Sequence, residues 1–157
     1  MLPETLQQYP IAQALASFDA DASAGGKFDR GELTLEIDAA KIVPVCMRLK
    51  TEEKFIRCSD VTALDYYPAE PRFVVVYHLH SLARNERLRL KCRVSGQNAA
   101  IDSVTGVWRS ANWFEREVFD LFGIQFRNHP DLTRIMMPEG WEGHPLRKDY
   151  PVTGNRV

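Results

Sequence analysis

No stretch of this chain is apolar for long enough to cross a bilayer. Spanning takes about 20 largely apolar residues, and the strongest run, Phe73-Val74-Val75-Val76-Tyr77, ends at His78. The first residues do not join a basic patch to an apolar core, so no secretory signal is expected. The chain is expected on the cytoplasmic side, at a membrane only through a partner. Cysteine is sparse: Cys46, Cys58 and Cys92, none within a CxxC pair. That gives iron–sulfur or structural zinc binding little support, and the odd count argues against a disulfide framework. An excess of one charge is missing too. Twenty basic residues face twenty-one acidic ones, leaving −1, so there is no general pull toward phosphate backbones or anionic lipid. Neither G-x-G-x-x-G nor a Walker sequence occurs, and G-x-S-x-G and His-Glu-x-x-His are equally absent. A self-sufficient nucleotide-binding, serine-hydrolase or zinc-protease site is therefore unsupported.

What is present fits one domain of 157 residues. Ile11, Ala14, Leu15 and Phe18 follow helical spacing behind Pro10, which can start a helix without losing a hydrogen bond. Asp19 to Arg30 is small and polar around Gly25-Gly26 and reads as a loop. Leu33, Leu35 and Ile37 alternate as in a half-buried strand. Ile42, Val45, Cys46 and Leu49 predict a second helix, with Pro44 tolerable only in its first turn. Phe55 to Tyr66 and Arg72 to Leu82 predict two strands joined by a turn at Pro68 and Pro71. Residues 82–86 predict a hairpin into a strand at 87–94, where Leu88, Leu90, Cys92 and Val94 face one way and Arg87, Arg89, Lys91 and Arg93 the other. That basic face suits an anion or acidic partner, or else a solvated outer face whose charge guards a sheet edge.

A helix is predicted from Asn112, with Asn112 as cap and Glu115 three residues on as in a capping box. Its apolar stripe is Phe114, Val118, Leu121 and Phe122, Arg116 can pair with Asp120, and Gly123 stops it. These elements predict an α+β fold: a single domain with a mixed or antiparallel sheet packed by helices. From 127 to 157 the chain is rich in proline and glycine and shows no period, yet it carries Leu132, Ile135, Met136, Met137, Trp141, Leu146 and Tyr150. Irregular chain with such groups is expected to lie as an arm on another surface, after a core domain at 1–126.

Few constellations could carry chemistry. His78 and His80 share one strand face and could offer imidazoles to a metal, though no third ligand stands at suitable spacing. Glu115, Glu117 and Asp120 cluster on one helix, and paired carboxylates can do acid–base work, but a cap and an ion pair account for them more simply. His129 and His144, with Asp131 and Glu142, lie in the arm with nothing to fix their geometry.

From Trp113 to Pro151 the sequence reads W-F-E-R-E-V-F-D-L-F-G-I-Q-F-R-N-H-P-D-L-T-R-I-M-M-P-E-G-W-E-G-H-P-L-R-K-D-Y-P. This run resembles the family of the C subunit of bacterial respiratory NADH:quinone oxidoreductase (complex I), counterpart of the mitochondrial NADH dehydrogenase iron–sulfur protein 3. D-V-T-A-L-D-Y (Asp60 to Tyr66) and V-V-Y-H-L-H-S-L (Val75 to Leu82) are similar to the same family, so the likeness runs from about Phe55 to Pro151. Thr133 departs from it, standing where a basic residue is commoner. His80 stands where an apolar or aromatic residue is commoner.

The resemblance implies a subunit without catalytic, cofactor-binding or metal residues of its own. NADH, FMN, iron–sulfur clusters and quinone would belong to partner subunits of the electron-transport chain. It implies a place in the peripheral arm of the translocase, against subunits D and B, on the cytoplasmic side of the inner membrane. The residues expected to meet partners are Glu115, Arg116, Glu117, Asp120, Arg134, Met136, Met137, Trp141, His144, Arg147, Asp149 and Tyr150. An equivalent scaffold subunit of a membrane-bound, ion-pumping hydrogenase is the alternative reading, and a small metal enzyme using His78 and His80 is a third.

Overall fold

A computed structural model describes residues 3–153. Helix α1 (Pro10–Phe18) starts on Pro10, as its fixed φ favours, and buries Ile11, Ala12 and Leu15. Strands β1 (Ser23–Asp29) and β2 (Glu32–Ile37) follow as a hairpin, and α2 (Ile42–Thr51) keeps Pro44 in its first turn. Strands β3 (Arg57–Asp65), β4 (Phe73–Ser81) and β5 (Glu86–Val94) form a meander. Its first connection carries cis peptide bonds before Pro68 and Pro71. Then come β6 (Ala100–Asp102), α3 (Ala111–Phe122) and β7 (Gln125–Arg127). The five-stranded sheet runs β1-β2-β5-β4-β3, with β2 and β5 parallel and the other neighbours antiparallel. The sheet is mixed and the fold α+β, as the order of elements predicts.

One core fills one side of the sheet. Leu35, Ile37, Val75, Tyr77, Leu79, Leu90 and Cys92 meet Leu15 of α1, Val45 and Leu49 of α2, and Val118 and Phe122 of α3. Each such side chain contributes about 1.5–3 kcal/mol by leaving water. The alternation in β5 sends Arg87, Arg89, Lys91 and Arg93 to the other side.

Three expectations need correction. Residues 19–30 are not simply a loop: β1 pairs with β2 from Ser23 to Asp29, with one irregularity between Ser23 and Gly25. Its glycines hide it from propensity, but Gly26 is required, since a Cβ there would stand 2.3 Å from the Thr34 carbonyl oxygen. Second, the basic strand β5 is the middle strand of the sheet, so its charges guard no edge. Third, α3 begins at Ala111 behind Ser110, with no side-chain cap, so Asn112 and Glu115 form no capping box. The C-terminal stop is as expected: Gly123 sits at φ 74° and donates its N–H to the Phe119 carbonyl at 2.8 Å. The parallel pair β6–β7 escapes the pattern, because three-residue strands are too short to display a period.

Candidate interaction site: helix α3 and the C-terminal arm

Residues 128–153 form no helix or strand. Three knots tie them to the domain. The first is Asp120, fully buried on α3. Its Oδ2 accepts from the backbone N–H of Ile135 (3.0 Å), Met136 (2.6 Å) and Met137 (3.0 Å). Its Oδ1 accepts from Arg134 Nε. Arg134 spends its other donors on the carbonyls of Trp141 (2.8 Å), Gly143 (2.8 Å) and Asp120 itself (3.2 Å). Burial pushes the Asp120 carboxyl toward the neutral form, but the three backbone donors and Arg134 outweigh it and hold the group below the usual carboxylate range. The pairing of Arg116 with Asp120 is therefore corrected. Arg116 turns away to donate to the Thr133 carbonyl and hydroxyl, and lies 4.6 Å over the Trp113 ring. Thr133 thus accepts from an arginine through both its carbonyl and its hydroxyl.

The second knot closes the far end of the arm. Arg72 forks onto Asp65 through Nε and Nη2, both at 2.8 Å, and onto Asp149 through Nη2 at 2.6 Å and Nη1 at 3.0 Å. Two carboxylates thus share one guanidinium, whose pKa their hydrogen bonds raise. Asp65 also accepts from the N–H of Tyr67 and of Lys148. Burial acts against its ionisation, yet Arg72 and the two N–H donors bring it down to about 2. Rings of Tyr67 and Phe73 flank the guanidinium at 4.8 and 4.9 Å.

The third knot lies at the end of α3. His144 donates from Nδ1 to the Asp120 carbonyl at 2.8 Å, Arg147 donates to the Phe122 carbonyl at 2.5 Å, and Leu146 N–H donates to the Leu121 carbonyl at 3.0 Å. These groups satisfy carbonyls that a helix end leaves open. Gly123 makes room for them: a Cβ there would meet His144 Cδ2 at 2.6 Å and Arg147 Nη2 at 2.7 Å.

Glu115 points inward from the same helix and is fully buried. It accepts from Ser103 Oγ (2.6 Å) and the Val104 N–H (2.7 Å), so it holds the loop before α3. Burial raises it to about 7 against those two donors. The buried His129 ring stands 3.9 Å away. Its Nδ1 accepts from the Asp131 N–H and its Nε2 donates to the Asn112 carbonyl.

Glu115, Asp120, Arg134, His144, Arg147 and Asp149 thus all bond within the chain, while Glu117, Met137, Trp141 and Tyr150 are half-buried. Trp113, Met136 and Leu146 show 63%, 56% and 51% of their surface. Residue types could not reveal Arg72 and Asp65, which lie 77 and 83 positions from their arm partners Asp149 and Lys148. Pro71-Arg72 and Asp65-Tyr66 flank the predicted turn, and that proximity was the available signal.

Elsewhere, His78 and His80 share one sheet face, and no group of three His, Cys, Asp or Glu among the described residues could hold a metal ion. The three cysteines are buried and free, and burial raises all three thiols, Cys58 to about 12. No helix among the described residues is long and apolar enough to cross a membrane.

An α+β domain in which Asp65, Arg72, Asp120 and Arg134 fasten an apolar-studded arm has the make-up of a subunit that presents a surface to a larger assembly. The chain belongs to the family described as respiratory-chain NADH dehydrogenase, 30 kDa subunit, whose model matches residues 35–156. It is 54% identical over 126 residues to the C subunit of the NADH-quinone oxidoreductase of Geobacter sulfurreducens, covering 80% of this chain and 78% of that one. Against the corresponding subunit of Cereibacter sphaeroides it is 43% identical over 155 residues, covering 98% and 76%. Among solved structures it is similar to the trypsin-resistant fragment (1–134) of Nqo5, at TM-score 0.59 and 32% identity over 76% of this chain and 97% of that one. An archaeal respiratory complex, the membrane-bound sulfane sulfur reductase, contains a chain of the same fold at TM-score 0.70, with 24% identity over 90% and 84%. As a member of its family the chain is a subunit of a respiratory NADH:quinone oxidoreductase.

Proposed function

We propose that the chain is a non-catalytic scaffold of the peripheral arm of a proton-translocating complex I, seated against subunits D and B on the cytoplasmic face of the inner membrane. The observation that carries this is the division of labour within residues 128–153. Arg134, His144, Arg147 and Asp149 are drawn inward to Asp120, Arg72 and the end of α3, whereas Met136 and Leu146, like Trp113 on α3, stay exposed. Aromatic and methionine side chains on a pre-ordered surface suit the centre of a protein interface. Pre-ordering also lowers the entropy cost of docking. In this reading Trp113, Arg116, Glu117, Met136, Met137, Trp141 and Tyr150 face partners, and Glu115, Asp120, Arg134, His144, Arg147 and Asp149 keep that surface in shape. Quinone and cluster chemistry depends on the chain through fixed geometry alone, since a displaced support costs rate without touching the reacting groups.

The test is affinity purification of the tagged chain from detergent-solubilised membranes of its host, with Met136→Glu/Leu146→Glu as the perturbed form. Co-purification of the quinone-site, terminal iron–sulfur and NADH-binding subunits, lost in the double variant, supports the reading. Recovery of a nickel-hydrogenase set instead would assign the chain to an ion-pumping hydrogenase. A variant that assembles fully yet loses quinone reduction would contradict a scaffold-only role.

A further inference from the structure

The side of the sheet away from the helices carries a cationic trough. Across β3, β4 and β5 the register sets Arg57, His80 and Arg87 abreast, with His78 beside Arg89 in the next row. A cavity of about 380 Å³ opens between them, and Asp60 and Glu32 also line it. Arg89 is paired with Glu32 at 2.5 Å and Arg93 with Glu36 at 3.5 Å. Among the described residues, Arg57, Arg87 and Lys91 have no acidic partner within ion-pair distance, although the whole chain has a net charge of −1. Edge protection cannot explain four basic residues on β5, because β5 is the central strand. Like charges on alternate residues of one strand repel; Glu32 and Glu36 relieve Arg89 and Arg93, which leaves Arg87 and Lys91 open to an anion from outside.

We propose that this trough docks a carboxylate-rich extended segment of a neighbouring subunit, its acidic side chains lying between Arg57, His80 and Arg87. The surface is separate from the arm, and it rests on the reading above only in taking a subunit of the same complex as the source. Two arginines flanking a histidine match carboxylates in two-point geometry, and the cavity is of a size that holds a side chain or two.

The full-length chain is titrated with hexaglutamate, hexalysine and inorganic phosphate by isothermal calorimetry. Hexaglutamate is expected to bind and hexalysine not, with affinity falling as salt rises from about 50 to 300 mM. Arg57→Glu/Arg87→Glu should weaken hexaglutamate by roughly fivefold or more, and Lys148→Glu, a single charge reversal in the arm, should leave it unchanged. Both arginines are exposed, so circular dichroism should show the fold intact. Equal weakening by Lys148→Glu, no effect of the double variant, or phosphate binding as tightly as the peptide would each overturn the proposal, the last in favour of a free-anion site. In the assembled complex the trough variant should reduce retention of the chain. Full retention there, alongside loss in Met136→Glu/Leu146→Glu, would remove the trough as an interface and leave the scaffold reading standing.

Discussion

Replacing Asp120 by Asn removes one charge from the knot that holds the first part of the arm. The wild-type carboxylate serves four donors, three backbone N–H groups on one oxygen and Arg134 Nε on the other. An amide has one acceptor oxygen and an NH2 group that only donates, so either Arg134 or the N–H trio must face that NH2 group. Hydrogen bonds to an ionised acceptor are worth about 1.5–3 kcal/mol each against about 0.5–1.5 for neutral ones. Breaking a buried pair by removing one partner's charge costs about 3–5 kcal/mol. That converts to roughly a hundredfold to several thousandfold in the local opening equilibrium. The arm has its own knots at Arg72 and at the end of α3, so the loss should be local. Amide hydrogen exchange of Ile135, Met136 and Met137 should accelerate by about that factor in Asp120→Asn. Amides of β4 should hardly change. Exchange at these three positions staying within about threefold of wild type would show that Asp120 does not hold the arm, and the reasoning would fail.

Glu115, raised from 4.5 to about 7, binds its proton more tightly in the folded chain than in the unfolded one. Its contribution is therefore fully present below pH 4.5 and is lost as pH rises through about 7, amounting to about 3 kcal/mol. Urea midpoints at pH 5 and 8 should diverge less in Glu115→Gln than in wild type, and identical divergence would remove Glu115 as the cause. Gly123→Ala forces a side chain into a left-handed position and against His144 and Arg147; it should cost about 1 kcal/mol or more in chemical denaturation. A thiol reagent at pH 8 should leave Cys46, Cys58 and Cys92 untouched until the chain unfolds, because burial keeps the thiols protonated and shielded. Stoichiometric labelling of the native chain would contradict the core described above.

The helices and long strands were legible because each keeps one period over several turns or pairs: Ile11 to Phe18, Ile42 to Leu49, and the alternation through Arg87 to Val94. Strand β1 escaped because Gly25 and Gly26 look like a linker, whereas Gly26 lies there to let Thr34 approach. The residues of the arm were marked by the family-like run, but their partners were not. Local rules joined Arg116 to Asp120 and made Glu115 a cap, each sound by spacing. Long-range bonds won: Asp120 serves Arg134 and the arm backbone, and Glu115 serves Ser103 and Val104. Spacing on a helix reports which side chains are near neighbours. It does not report which fully buried carboxylate has more donors waiting elsewhere.

The parallel seam between β2 and β5 bears on how the chain is made. Strand β2 finds Leu88 to Lys91 only after the whole β3–β4 hairpin has been synthesised, and a two-stranded ribbon such as β1–β2 is barely stable alone in water. The amino-terminal hairpin therefore waits, with Leu33, Leu35 and Ile37 exposed, until residues 86–94 leave the ribosome and supply the middle of the sheet. Closing that seam spans some fifty residues of chain, so it is the slow, non-local event in folding. During that interval the nascent chain needs shelter from aggregation, and substitutions at Leu35 or Leu90 should lower yield in the cell more than equal losses of stability at the periphery.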